Sequence, residues 1–152
     1  MKHKKNKYVD ILKEVNLRPT RQRVVLVSNI FNSGNRHINA EKLHEEVLSN
    51  GEKVSLATVY NTLNNLTNAG LLRQVKVNSN QNYFDTNTSA HHHFFDEVNN
   101  SLIDIPHDEI KLVGIPKPPI NKKISDVEII ISIKNKCFLN VNIYCMLKAK
   151  MI

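Results

Sequence analysis

Three consecutive histidines, His91-His92-His93, stand between Asp85 and Asp104 and run into Phe94 and Phe95. The segment reads as a strand. Alternate side chains of a strand share a face, so His91 and His93 point together and His92 points away. Two imidazoles on one face with carboxylates within reach suit a borderline divalent metal. A bare histidine triplet also fits the polar end of a strand, so the elements around it carry weight.

The period of the apolar residues predicts four helices in the first half. Tyr8, Val9, Ile11, Leu12 and Val15 give the first, which stops near Asn16 and Pro19. Thr20 caps the second, with Val24, Val25, Val27, Ile30 and Phe31, ending at Ser33-Gly34. Asn39 caps the third, whose buried face is Ala40, Leu43, Val47 and Leu48 before Gly51. Ser55 opens the fourth, with an apolar stripe of Leu56, Val59, Tyr60, Leu63 and Leu66. Leu72 to Val77 and Gln81 to Asp85 then read as two strands around Asn78-Ser79-Asn80. Helices followed by a hairpin describe a winged helix, a helix-turn-helix variant. After a polar hinge from Thr86 to Ala90, three further strands are expected: His91 to Val98, Leu102 to Ile105 and Val127 to Ile133. Pro116, Pro118 and Pro119 keep any helix between the last two short. The expected class is α+β: a winged helix over residues 1–86, a small α/β dimerisation unit over 91–136, and a tail, 137–152, without an assigned role.

The net charge of +7 is unevenly spread. Residues 1–90 carry 13 Lys/Arg against 7 Asp/Glu, and the rest carry 8 against 7. A basic first half joined to a nearly neutral second half fits a double-stranded DNA reader with a separate module. In such a unit the second helix of the helix-turn-helix enters the major groove. Ser55 and Thr58 suit phosphates, Ala57 and Tyr60 a thymine methyl, and Asn61 the N6 and N7 of adenine. Arg18, Arg21 and Arg23 are placed for the flanking backbone or a narrow minor groove. A core helix of a protein-docking winged helix is the competing reading.

Two cysteines, Cys137 and Cys145, make neither a disulfide framework nor a four-cysteine zinc site. The basic start leads into no apolar core and no stretch has the ~20 apolar residues of a membrane span. A cytoplasmic protein without a membrane partner is expected. Two histidines and a carboxylate also form the ligand set of non-haem iron oxygenases, but too few strands follow residue 90 to build their barrel. No nucleophile–base pair or phosphate loop is evident, so an enzyme is not expected. A metal-binding module without DNA affinity is the further alternative.

Leu17-Arg18-Pro19-Thr20-Arg21-Gln22-Arg23, then Ser55-Leu56-Ala57-Thr58-Val59-Tyr60, resembles the ferric uptake regulator (Fur) superfamily. The likeness continues through Tyr83-Phe84-Asp85, the histidines and Asp104, over roughly residues 8 to 135. His91 to Phe95, Leu102 to Pro106 and Gly114-Ile115-Pro116-Lys117-Pro118-Pro119 look like its iron response regulator (Irr) branch. The resemblance implies a homodimeric transcription regulator of iron or haem homeostasis, with repression the expected mode. It also implies a metal site of His37, Asp85, His91, His93 and Asp104, suited to Fe(II), Mn(II) or Zn(II). The Irr likeness implies a response to haem, with His91, His92 and His93 as ligands and Phe94 and Phe95 against the porphyrin. The chain departs from general Fur members in having Asp96 and Asn99 where a Cys-x-x-Cys usually follows the histidines, in carrying Asn61 where many have arginine, and in its apolar tail.

Overall fold

The computed structural model describes residues 2–78 and 81–135, which leaves Met1, Ser79, Asn80 and residues 136–152, the tail 137–152 among them, outside the described part. Four α-helices and two three-stranded sheets make an α+β fold. Helix α1 spans Lys2–Glu14, and α2 (Arg21–Phe31), α3 (Ala40–Ser49) and α4 (Leu56–Asn68) begin where their capping residues require. Thr20, Asn39 and Ser55 are extended, and their side chains accept from the backbone N–H of Arg23, Lys42 and Thr58. Each bond satisfies one of the donors that a helix start leaves unpaired. Gly51 and Gly70 follow α3 and α4 at φ 79 and 75, the left-handed turn in which a side chain is strained.

The four helices enclose one core in which Leu12, Leu26, Ile30, Leu43, Leu63 and Leu66 are fully buried. Each such side chain contributes roughly 1.5–3 kcal/mol by leaving water. Three residues expected inside are exposed: Leu48, Leu56 and Tyr60. Thr62 is buried instead, its hydroxyl donating to the Thr58 carbonyl at 2.7 Å. A threonine satisfied by its own helix can occupy a core position, which an apolar pattern does not reveal.

Strands β2 (Arg73–Asn78) and β3 (Gln81–Asp85) form the expected hairpin. The sequence did not suggest β1 (His37–Ile38), which pairs antiparallel with β3, His37 opposite Asp85. The second sheet has the order β5-β4-β6, from β4 (His91–Asp96), β5 (Ser101–Pro106) and β6 (Ile130–Ile133). Strand β4 ends before Val98 because the Asp96 side chain accepts from the N–H groups of Val98 and Asn99 and closes a turn. Strand β6 runs parallel to β4, so the chain must cross over between β5 and β6. Of the α/β content expected there, the described residues hold only a 3₁₀ turn, His107–Glu109; the rest of the crossover is irregular and contains the three prolines.

A small second core of Val75, Tyr83, Phe95 and Leu102, with Val77 and Ile130 against it, joins the hairpin to the second sheet. The Tyr83 hydroxyl donates to the Asn100 carbonyl at 2.8 Å across the same boundary. The Thr86–Ala90 hinge is also tied down: Thr86 N–H donates to the Arg36 carbonyl, Arg36 N–H donates to the Thr86 hydroxyl oxygen, and Asn87 N–H donates to Asp85 Oδ1. Both sheets are thereby held against one another at the end where the histidines lie.

Candidate metal centre and nucleic-acid interface

His37, Asp85, His91, His93 and Asp104 come together, one ligand atom from each, all within 4.8 Å of one another. They arrive from β1, β3, β4 and β5, so both sheets contribute. Strand alternation turns His91 and His93 to one side, their Nε2 atoms 2.9 Å apart. His93 stands opposite Asp104 in the β4–β5 register, and His37 stands opposite Asp85 in β1–β3. His37 Nε2 lies 2.8 Å from Asp104 Oδ1 and 3.5 Å from Asp85 Oδ2. Asp85 Oδ2 is 2.9 Å from His91 Nε2 and 3.5 Å from His93 Nε2.

The outward nitrogens of the two strand histidines each face an oxygen. His91 Nδ1 is 2.8 Å from the Ser89 carbonyl, which only accepts, so Nδ1 bears a proton there and Nε2 is the ring nitrogen turned inward. His93 Nδ1 is 3.2 Å from Glu128 Oε1, an ion-pair distance without the geometry of a hydrogen bond. Burial pushes the Asp85 carboxyl toward protonation, but contacts from His37, His93 and the Asn87 N–H outweigh it and hold the group well below the usual carboxylate range. Asp104 is the rim of the cluster, its side chain 37% exposed, whereas Asp85 is 1% exposed.

The donor set fits a divalent cation. Around an ion with ligand distances of about 2.0–2.2 Å, neighbouring donors stand roughly 2.9–3.5 Å apart. The close histidine–carboxylate separations run from 2.8 to 3.8 Å, and no two of the five ligand atoms are more than 4.8 Å apart. Three imidazoles supply nitrogen donors, and two carboxylates supply the negative charge that balances a 2+ ion. His37 Nε2 and Asp85 Oδ2 are buried and make no hydrogen bond of good geometry, although both face the centre. Without a cation or extra protons, inward lone pairs at these distances repel one another.

His92 sits on the opposite side of β4 and is also buried. Its Nδ1 accepts from Ile129 N–H at 3.4 Å, and its ring lies 5.3 Å from that of His107. Burial, then the neighbouring His107 and Arg73, disfavour its charged form. The three histidines expected to serve haem therefore do not lie on one face: His91 and His93 share one, and His92 stands on the other. Phe95 is buried 6.2 Å from the Tyr83 ring, so it is not available to a porphyrin; Phe94 is half-buried on the other side of the strand.

On α4, Ser55, Ala57, Tyr60 and Asn61 are exposed and Thr58 is half-buried, while Val59, Thr62, Leu63 and Leu66 face the core. The hydroxyls of Ser55 and Thr58 lie 2.9 Å apart as part of the cap. Tyr60 differs from expectation: its hydroxyl donates to Glu41 Oε1 of α3, and that bond raises its pKa. Arg18 is exposed and its carbonyl accepts from Arg23 Nη1 at 3.1 Å. Arg21 pairs with Glu52 at 3.0 Å yet remains 82% exposed, a contact too solvated to hold it away from a polyanion. Glu41, Arg73, Asn87 and Glu128 carried no sequence signal, because their neighbours are set by strand register and helix packing rather than by spacing.

Two relatives match over 82 residues: the Ferric uptake regulation proteins of Shigella flexneri, 33% identical, and of Escherichia coli (strain K12), 32% identical. Each match covers 54% of this chain and 55% of the relative, so the chain spans about half the length of the curated relatives it matches. The fold resembles that of the Pseudomonas aeruginosa ferric uptake regulator solved with manganese, with TM-score 0.61 and 22% identity over 84% of this chain and 96% of that one. It also resembles the Vibrio cholerae ferric uptake regulator, with TM-score 0.63 and 20% identity over 83% and 98%. The pattern described as "Ferric uptake regulator family" matches residues 14–131, which takes in α2, α3 and α4, strands β1 to β5, the first half of β6 and all five clustered residues, but only the last residue of α1. By that match the chain belongs to the ferric uptake regulator family.

Proposed function

We propose that the protein is a metal-responsive transcription regulator that binds double-stranded DNA as a homodimer. His37, Asp85, His91, His93 and Asp104 hold the divalent metal, and α4 reads the major groove. The observation that carries this reading is the convergence of five N/O ligand atoms from both sheets. A bound cation cross-links β1 and β3 of the helical unit to β4 and β5 of the second sheet, so occupancy favours one relative placement of the two. In a dimer that placement sets the distance between two reading helices, which must match the spacing of DNA half-sites. A donor set without thiolate suits Fe(II), Mn(II) or Zn(II). The relatives and solved structures named for ferric uptake regulation, one of them solved with manganese, support the same direction. No described helix is long and apolar enough to cross a membrane.

Mobility shifts on DNA selected by the protein itself, with and without Mn(II), test the reading. Metal-dependent, sequence-selective binding is the expected result; tight metal binding with no DNA affinity would leave a metal-binding module instead. The Irr-type reading, repression relieved by haem, rests on the histidine run and on the Leu102–Pro106 and Gly114–Pro119 segments. Because His91 and His93 face the cluster and His92 faces away, haem ligation by this run requires β4 to give up the metal geometry. Haem and Mn(II) therefore compete. A haem titration that leaves Mn(II) affinity unchanged removes haem from this site.

A further inference from the structure

The backs of the two strand histidines lead to one residue. His91 Nδ1 meets the Ser89 carbonyl and His93 Nδ1 meets Glu128 Oε1. Arg73 reaches both: its Nη1 donates to the Ser89 carbonyl oxygen at 3.5 Å, and its Nη2 is 3.4 Å from Glu128 Oε1, a contact that, like the one between Glu128 and His93, is an ion-pair approach rather than a hydrogen bond. The same Nη2 is 3.0 Å from Asp126 Oδ2. The Arg73 side chain is 18% exposed and Glu128 22%, so the contacts are only partly screened by water. Arg73 opens β2, opposite Asp85 in the hairpin register, whereas Glu128 precedes β6.

We propose that Arg73 is a positioning residue for the metal centre: its planar fork fixes the Ser89 carbonyl and the Glu128 carboxylate, and through them the ring orientation of His91 and His93. This rests on the metal-site reading above. Groups that hold the outer nitrogen of a ligating histidine fix its tautomer and aim, and their loss typically weakens metal binding by about 10–100-fold. A guanidinium presents several donors in fixed directions; a lysine ammonium is a point charge on a flexible stem and does not span the same acceptors.

Co(II) titration of the full chain, followed by its ligand-field absorption, tests this with Arg73→Met, Arg73→Lys, Glu128→Gln and the Arg73→Met/Glu128→Gln double variant. The expected result is Co(II) binding weakened by roughly 10–100-fold in each single variant, with a shifted absorption band. Because Arg73 acts in part through Glu128, the double variant should bind more tightly than the product of the two single losses predicts. Full rescue by Arg73→Lys, or losses that multiply within about threefold, overturns the fork relay. Should Arg73→Met fail to fold, Glu128→Gln keeps the shape of the side chain, and its unchanged Co(II) affinity overturns the proposal equally. A wild-type chain that does not bind Co(II) overturns the metal-site reading and this proposal together; a binding wild type with an unchanged Arg73→Met overturns this proposal alone.

Discussion

Asn61 and Arg18 are both exposed, but in the proposed complex they act through different physics. An Asn–adenine pair discriminates bases by roughly 1–3 kcal/mol, whereas an arginine near phosphates acts by releasing counterions. Asn61→Ala is expected to lower the affinity for the selected site and leave random-sequence binding unchanged; Arg18→Ala should weaken both and flatten the salt dependence, as measured by fluorescence anisotropy across salt concentrations. Tyr60→Ala is a poorer probe, because its hydroxyl also holds Glu41. At the metal centre, Asp85→Asn removes the buried charge that faces His37, His91 and His93. A loss of Mn(II) affinity of at least tenfold by calorimetry is expected; retention of wild-type affinity would remove Asp85 from the ligand set. The strand pattern alone pointed to His91, His93 and the flanking carboxylates. His37 lies 54 residues before His91 in a segment without periodicity, and only the family resemblance reached it.

The elements that position these residues were legible to the extent that they carry a local signal. Helix caps were, since Thr20, Asn39 and Ser55 each make the bond their side chain is suited for. Strand β1 was not: two residues have no period, and its pairing with β3 exists only once the helices have packed. Yet β1 delivers His37, and the chain passes directly from Ile38 through the Asn39 cap into α3. Asn39→Ala is expected to cost about 1 kcal/mol of stability. It should also loosen β1 and weaken Mn(II) binding, whereas Thr20→Ala, a similar cap far from the cluster, should cost comparable stability with metal affinity intact. Urea unfolding and metal titration of the pair decide this. Equal effects on metal binding would mean that β1 is not positioned by the cap.

For the whole molecule, the face of the second sheet turned away from the metal cluster sets the next constraint. Phe94 stands opposite Ile103 on one side and Ile131 on the other, so an apolar row crosses all three strands. Ile103 and Ile131 are 49% and 40% exposed. Ile129, Ile131 and Ile133 alternate in the sequence, and the parallel register of β6 on β4 makes their side continuous with Phe94 and Ile103. The sequence did not give that register, because a parallel pair joined by a long irregular crossover leaves no turn motif to fix it. A symmetric copy packed on this row would bury it, and stable interfaces of this kind remove roughly 1,200–2,000 Å² from water. A homodimer through residues 91–135 is therefore expected by sedimentation at micromolar concentration. Ile103→Lys combined with Ile131→Lys should shift it to monomer while Mn(II) binding by each chain persists, since those residues and the cluster lie on opposite faces of the sheet. Removing residues 137–152, which lie outside the described part, should leave the dimer in place. A double variant that stays dimeric would move the interface elsewhere on the second unit, and with it the spacing of the two reading helices on DNA.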